Sequence, residues 1–157
     1  MQSLQKYKPL FDYLFAYWLY GLMLIGVHEF FHSNIARVLG YKNIVVYYWF
    51  SGYTIVQNII QNPIHLGLIA ISGGMLTALL YVCMLYFLDW ETDYPEICSI
   101  KTHIYQQIVY SLFETYYIFG YLNFDNLVLI YNIVGTIIFT IMTILFIKHY
   151  FEVEKDC

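Results

Sequence analysis

Two histidines stand four residues apart with a glutamate beside the first, in the run His28-Glu29-Phe30-Phe31-His32. On a helix, side chains four apart share a face, so His28 and His32 can grip one zinc ion between them. Glu29, one residue along, is then placed to act as a general base on zinc-bound water. The five-residue pattern H-E-x-x-H is short and recurs by chance. Its setting here is unusual, because the preceding stretch from Phe11 to Val27 holds a single acid, Asp12. Two imidazoles and a carboxylate within an apolar span are costly in lipid unless they bind or pair. Metal-assisted hydrolysis within a membrane is the chemistry this constellation suggests.

The rest of the composition agrees with a membrane setting. Of the 157 residues, 61% are hydrophobic and 11% charged, against roughly 45–50% and about 25% in soluble domains. Net charge is −4, without a basic patch, which argues against a nucleic-acid partner. The 18 tyrosines, 12 phenylalanines and 3 tryptophans suit membrane interfaces and lipid-facing surfaces. Length predicts a single domain over residues 1–157. Cys83, Cys98 and Cys157 have no C-x-x-C spacing, so neither a zinc knuckle nor a disulfide framework is expected. Residues Met1 to Lys8 are polar and no small-residue cleavage site follows the first apolar run, so that run is not read as a removed signal peptide.

Positioning the motif requires helices. The fold class expected is a mostly α membrane protein with about four transmembrane helices: Pro9 to Leu39, Pro63 to Leu88, Thr102 to Leu122 and Asn126 to His149. Gly40 suits the end of the first helix and Pro63 the first turn of the second. Gln106, Gln107 and Glu114 make the third span polar, so it should face protein or a hydrated cavity. Between the first two helices, Ile44 to Phe50 and Tyr53 to Val56 are β-branched and aromatic, separated by Ser51-Gly52. They predict a membrane-associated hairpin. Such a hairpin either plugs the bundle or offers an edge to which an extended peptide adds as a strand. The acidic stretch Asp89 to Glu96 reads as a solvated loop.

A catalytic zinc takes three protein ligands and leaves a position open. Candidates for the third are Asp125, Glu114, His65, His103 and the loop acids. Depth favours Asp125. His28 and His32 fall about 19 and 23 residues after Pro9, and Asp125 about 22 after His103, which at about 1.5 Å per residue are similar depths. Glu114 falls about 16 Å short on that ruler. Asp125 also has a plainer reading as a residue at a helix N-terminus.

Carried outward, the motif becomes His28-Glu29-x-x-His32-x-x-x-Ala36-Arg37-x-x-Gly40, which resembles the signature helix of the site-2 protease family of intramembrane zinc metalloproteases. Ile71-Ser72-Gly73-Gly74-Met75-Leu76-Thr77-Ala78 resembles that family's Gly-Pro-x-x-Asn segment, with Gly74 in the proline place and Thr77 in the asparagine place. Phe124-Asp125-Asn126 resembles its Leu-Asp-Gly motif, whose aspartate is the third ligand. The departures are Phe31 where glycine is usual, Tyr117-x-x-Gly120 in place of Asn-x-x-Pro, and Asn126 after the aspartate. The resemblance implies a compact member lacking PDZ or nucleotide-sensing domains. Zinc would be held by His28, His32 and Asp125, with Glu29 as the base. Gly73, Gly74, Thr77 and Asn123 are expected near the substrate backbone.

The resemblance further implies hydrolysis of peptide bonds in or near transmembrane segments. The partners expected are a membrane-protein or peptide substrate and the lipid bilayer. Localisation would be multi-pass and integral, in the cell membrane, with the metal nearer the cytoplasmic face. Two alternatives stay open. One is a zinc peptidase using Glu114 as third ligand, similar to the prenyl-protein proteases. The other is a zinc-binding or structural membrane protein without turnover.

Overall fold

The computed structural model describes residues 7–48, 51–57 and 62–153. The described residues are mostly helical, forming four helices and one two-stranded antiparallel hairpin. Helix α1 covers Lys8–Val38, strands β1 and β2 cover Asn43–Tyr48 and Ser51–Val56, and α2 covers Pro63–Leu85. Helices α3 (Tyr94–Ile118) and α4 (Phe124–Val153) complete the order.

Local chemistry sets most of these boundaries. Helix α1 ends where Gly40 turns left-handed at φ +87, a conformation that glycine adopts without strain. There Gly40 N–H bonds to Arg37 O and Tyr41 N–H to Ala36 O, each at 2.9 Å, closing a Schellman turn. Gly120 ends α3 in the same way, at φ +79, with Tyr121 N–H bonded to Tyr116 O. The Asn62 side chain caps α2 by accepting from Ile64 N–H at 2.9 Å, with Pro63 next in the chain. Asn123 Oδ1 likewise accepts from Asn126 N–H at 2.8 Å and opens α4.

Among the described residues, three helices are long and apolar enough to cross a membrane: α1, α2 and the stretch Phe124–Tyr150 of α4. Helix α3 is not among them by length and composition, so three of the about four spans expected are matched. It is instead the polar interior of the bundle, burying Ser99, Thr102, His103, Gln106, Gln107 and Ser111. It also starts at Tyr94 rather than Thr102, because Pro95 sits in its first turn and Glu96 follows. The remaining acidic loop folds on itself, Asp93 Oδ2 accepting from Asp89 N–H at 3.0 Å.

The α3 side chains find partners on their neighbours. Tyr13 Oη lies 3.3 Å from both Thr102 Oγ1 and Thr143 Oγ1. His103 Nε2 donates to Tyr17 O at 2.9 Å, and its ring stacks on that of Tyr17 with centroids 4.4 Å apart. Gln106 Nε2 donates to Gly135 O at 3.0 Å. Around this seam, Ala78, Tyr81, Ile100 and Ile104 form one apolar cluster and Tyr13, Cys98 and Phe146 another. Glycine permits the closest approach: a Cβ at Gly74 would meet the main chain of Gln107 and, at 2.7 Å, Ser111 Cβ.

The hairpin is pinned to the end of α1. Ser33 Oγ donates to Asn43 Oδ1 at 2.7 Å, and Asn43 Nδ2 donates to Ser33 O at 2.8 Å. Its register pairs Val45 with Thr54, Tyr47 with Gly52 and Tyr48 with Ser51. Ser51 and Gly52, expected to form the turn, thus belong to β2, while Trp49 and Phe50 lie outside the described residues.

Candidate metal centre

His28 and His32 project from one face of α1 towards α2 and α3, and both are buried together with Glu29. Each imidazole is held through its Nδ1. His32 Nδ1 donates to the carbonyl of Ile69 on α2 at 2.6 Å. His28 Nδ1 donates to Gln107 Oε1 on α3, also at 2.6 Å. A backbone carbonyl only accepts, so the His32 proton sits on Nδ1; the Gln107 oxygen fixes His28 in the same tautomer. The Nε2 lone pairs are thereby turned inward, and the two Nε2 atoms lie 2.9 Å apart.

Glu114 of α3 closes the third side. Its Oε1 is 3.0 Å from His28 Nε2 and its Oε2 is 3.5 Å from His32 Nε2. Oε2 is buried and has no hydrogen-bond partner. Two imidazole lone pairs and a carboxylate oxygen therefore face one another in a pocket of low polarity. Such atoms repel unless a positive charge lies among them, so the donor set suits a cation. The group His28, Glu29 and His32 offers ligand atoms within 4.8 Å of one another and can hold a metal ion.

Gly73 of α2 leaves room for this convergence. A Cβ there would collide with His32 Nε2 and would come within 2.7 Å of His28 Nε2. Glu29 also meets the hairpin, where Thr54 Oγ1 of β2 donates to its Oε2 at 2.7 Å. A cleft of about 420 Å³ opens there, lined by Glu29, His32, Thr54, Glu114 and Tyr131 among others. Apolar side chains from α2 and α4, including Leu66, Ile69 and Leu127, complete its walls.

Asp125 is not brought to the histidines. It is exposed in the first turn of α4, where a carboxylate favours the helix dipole. The depth ruler placed it beside the motif only because α3 was taken to start at Thr102. Measured from the observed starts, His28 lies twenty residues after Lys8 and Glu114 twenty after Tyr94. Both are thus about 30 Å along their helices.

The residues expected near substrate fare similarly. Gly73 abuts the imidazoles, Gly74 packs on α3, Thr77 is fully buried and Asn123 caps α4. None of the four lines the cleft. Gln107, Thr54 and the Ile69 carbonyl, which the motif does not announce, make the direct contacts. Paired glutamines in an otherwise membrane-like helix were the one available sign of Gln107. No protein-family model, curated protein or solved structure matches this chain.

Proposed function

We propose that this protein is a multi-pass intramembrane zinc metalloprotease, with His28, His32 and Glu114 holding the ion and Glu29 serving as general base. The observation that carries the reading is the convergence of both Nε2 atoms on the Glu114 carboxylate, whose Oε2 has no hydrogen-bond partner, beside a second glutamate that lines an apolar cleft. A site with metal ligands alone would have no need of Glu29 at that edge. Zinc at this position would polarise a scissile carbonyl and lower the pKa of water towards about 7.

The chain's own residues supply the rest. Gln107 and the Ile69 carbonyl fix the tautomers and ring planes of the two histidines. Thr54 holds the Glu29 carboxylate at the cleft, where it accepts a proton from the attacking water and returns it to the leaving amine. Substrate seating falls to β2. Gly52, Tyr53, Thr54 and Val56 line the cleft, and the sheet has only two strands among the described residues. An extended peptide could add to β2 as a further strand. An unwound segment of a membrane helix fits, because the cleft walls are apolar while the strand edge satisfies its main chain.

The test uses purified protein and a synthetic membrane-helix substrate. Wild type should carry one zinc per chain and cleave, and Glu29→Gln should keep the zinc while losing roughly 10²–10⁴-fold in rate. Cleavage that survives Glu29→Gln refutes the mechanism. Zinc binding without cleavage by wild type supports a metal-binding membrane protein instead.

A further inference from the structure

Tyr131 lines the same cleft as Glu29, His32 and Glu114, yet the scheme above gives its hydroxyl no part. The ring is firmly placed on α4. It stacks on Tyr110 of α3 with centroids 4.3 Å apart and planes 26° from parallel. Tyr110 Oη donates to the Tyr131 carbonyl at 3.1 Å, which ties down the main chain as well. The Tyr131 hydroxyl reaches Tyr110 O at 3.4 Å, beyond the roughly 2.5–3.0 Å of a good O–H···O bond. It also hydrogen-bonds the Glu114 carboxylate and interacts electrostatically with Glu29. A phenolic O–H on a fixed ring in the cleft wall, shared between these acceptors, can turn to a substrate oxygen.

Amide hydrolysis creates a demand for such a donor. As water oxygen bonds to the carbonyl carbon, the C=O electron pair moves onto oxygen, and it returns when the C–N bond breaks. Among the described residues that line the cleft, none is a lysine or arginine. Both histidine Nδ1 protons are committed to Gln107 and Ile69, and Thr54 is committed to Glu29. We infer that Tyr131 is a further catalytic residue, whose hydroxyl donates a hydrogen bond to the scissile carbonyl oxygen as it takes up negative charge. Its proton stays on the phenol throughout; the proton that moves travels through Glu29. This rests on the protease reading.

Tyr131→Phe tests it, since phenylalanine keeps the stack on Tyr110 and removes only the hydroxyl. With the full-length protein in detergent and the same membrane-helix substrate, kcat should fall about 10²–10³-fold. KM and zinc content should stay at wild-type values. Unchanged kcat overturns the assignment. A rate that falls only in proportion to lost zinc also overturns it, by showing that Tyr131 serves Glu114 rather than substrate. Glu29→Gln, run in parallel, separates the two levels. If Glu29→Gln is dead and Tyr131→Phe is fully active, only the role of Tyr131 falls; if both are active, the protease mechanism falls.

Discussion

Gly73→Ala adds one methyl group at the point where the centre has least room. The new Cβ would come within 2.7 Å of His28 Nε2 and closer still to His32 Nε2, whereas ordinary contacts begin near 3.4 Å. Each ring must retreat by more than half an ångström. Zinc ligation tolerates deviations of about 0.2 Å around Zn–N distances near 2.0–2.1 Å. Loss of a single supporting hydrogen bond to a ligand typically lowers metal affinity about 10–100-fold. Displacing two ligands together should therefore weaken zinc by at least about 100-fold, or about 2.7 kcal/mol. The packing penalty on the apo fold should be about 1–3 kcal/mol. Zinc affinity by competition with a chromophoric chelator, alongside thermal unfolding in detergent, reads both quantities. Gly26→Ala and Gly67→Ala are the controls, since a Cβ at Gly26 meets nothing within 4 Å and one at Gly67 meets Phe119 at 3.6 Å. Wild-type zinc affinity in Gly73→Ala refutes the placement of the ion against the two Nε2 atoms. Equal losses in all three variants would trace the effect to the added methyl group in a helix, on α1 as on α2, rather than to the contact at Gly73.

Two further outcomes follow from the same geometry. Glu114→Ala should strip the zinc measured by elemental analysis while Asp125→Ala retains it, because only Glu114 reaches the imidazoles; the reverse pattern would restore Asp125 as the third ligand. Thr54→Val should keep zinc but slow cleavage about tenfold, since it removes the hydroxyl that holds Glu29 Oε2; a wild-type rate would show that the bond does not matter to the base.

The parts of the site legible from residue order are those set by short-range spacing. Helical repeat alone brings His28 beside His32, and β-branched runs around Ser51-Gly52 announce the hairpin, although the pairing carries both of those residues into β2. The third ligand depends on long-range register, and there a local misreading propagates. Tyr94-Pro95-Glu96 stands in an acidic stretch and reads as loop, yet proline and an acid suit a helical first turn. Starting α3 eight residues late shifts its ruler by about 12 Å, enough to exchange Glu114 for Asp125. Gly120 adds to the error, because the chain breaks there and Asp125 belongs to the next helix. The Ile69 carbonyl that fixes His32 is invisible to any reading of residue types, since every residue has one. Gln107 carries a side-chain sign, but only packing tells which of two adjacent glutamines turns to the histidine.

The polar character of α3 bears on how the chain reaches its native state. Among the described helices it alone is not apolar enough to cross a bilayer by length and composition, while it brings Gln107 and Glu114 against His28. A segment carrying His103, Gln106, Gln107 and Glu114 gains little from lipid on its own. It becomes a favourable occupant of the membrane once Tyr13, Tyr17 and the two histidines of α1 offer it partners. On the function proposed above, docking of α3 and completion of the metal centre would be a single event. Until it happens, His28 and His32 lack the Glu114 carboxylate beside them, so the proposed chemistry would not precede the packing of the helices.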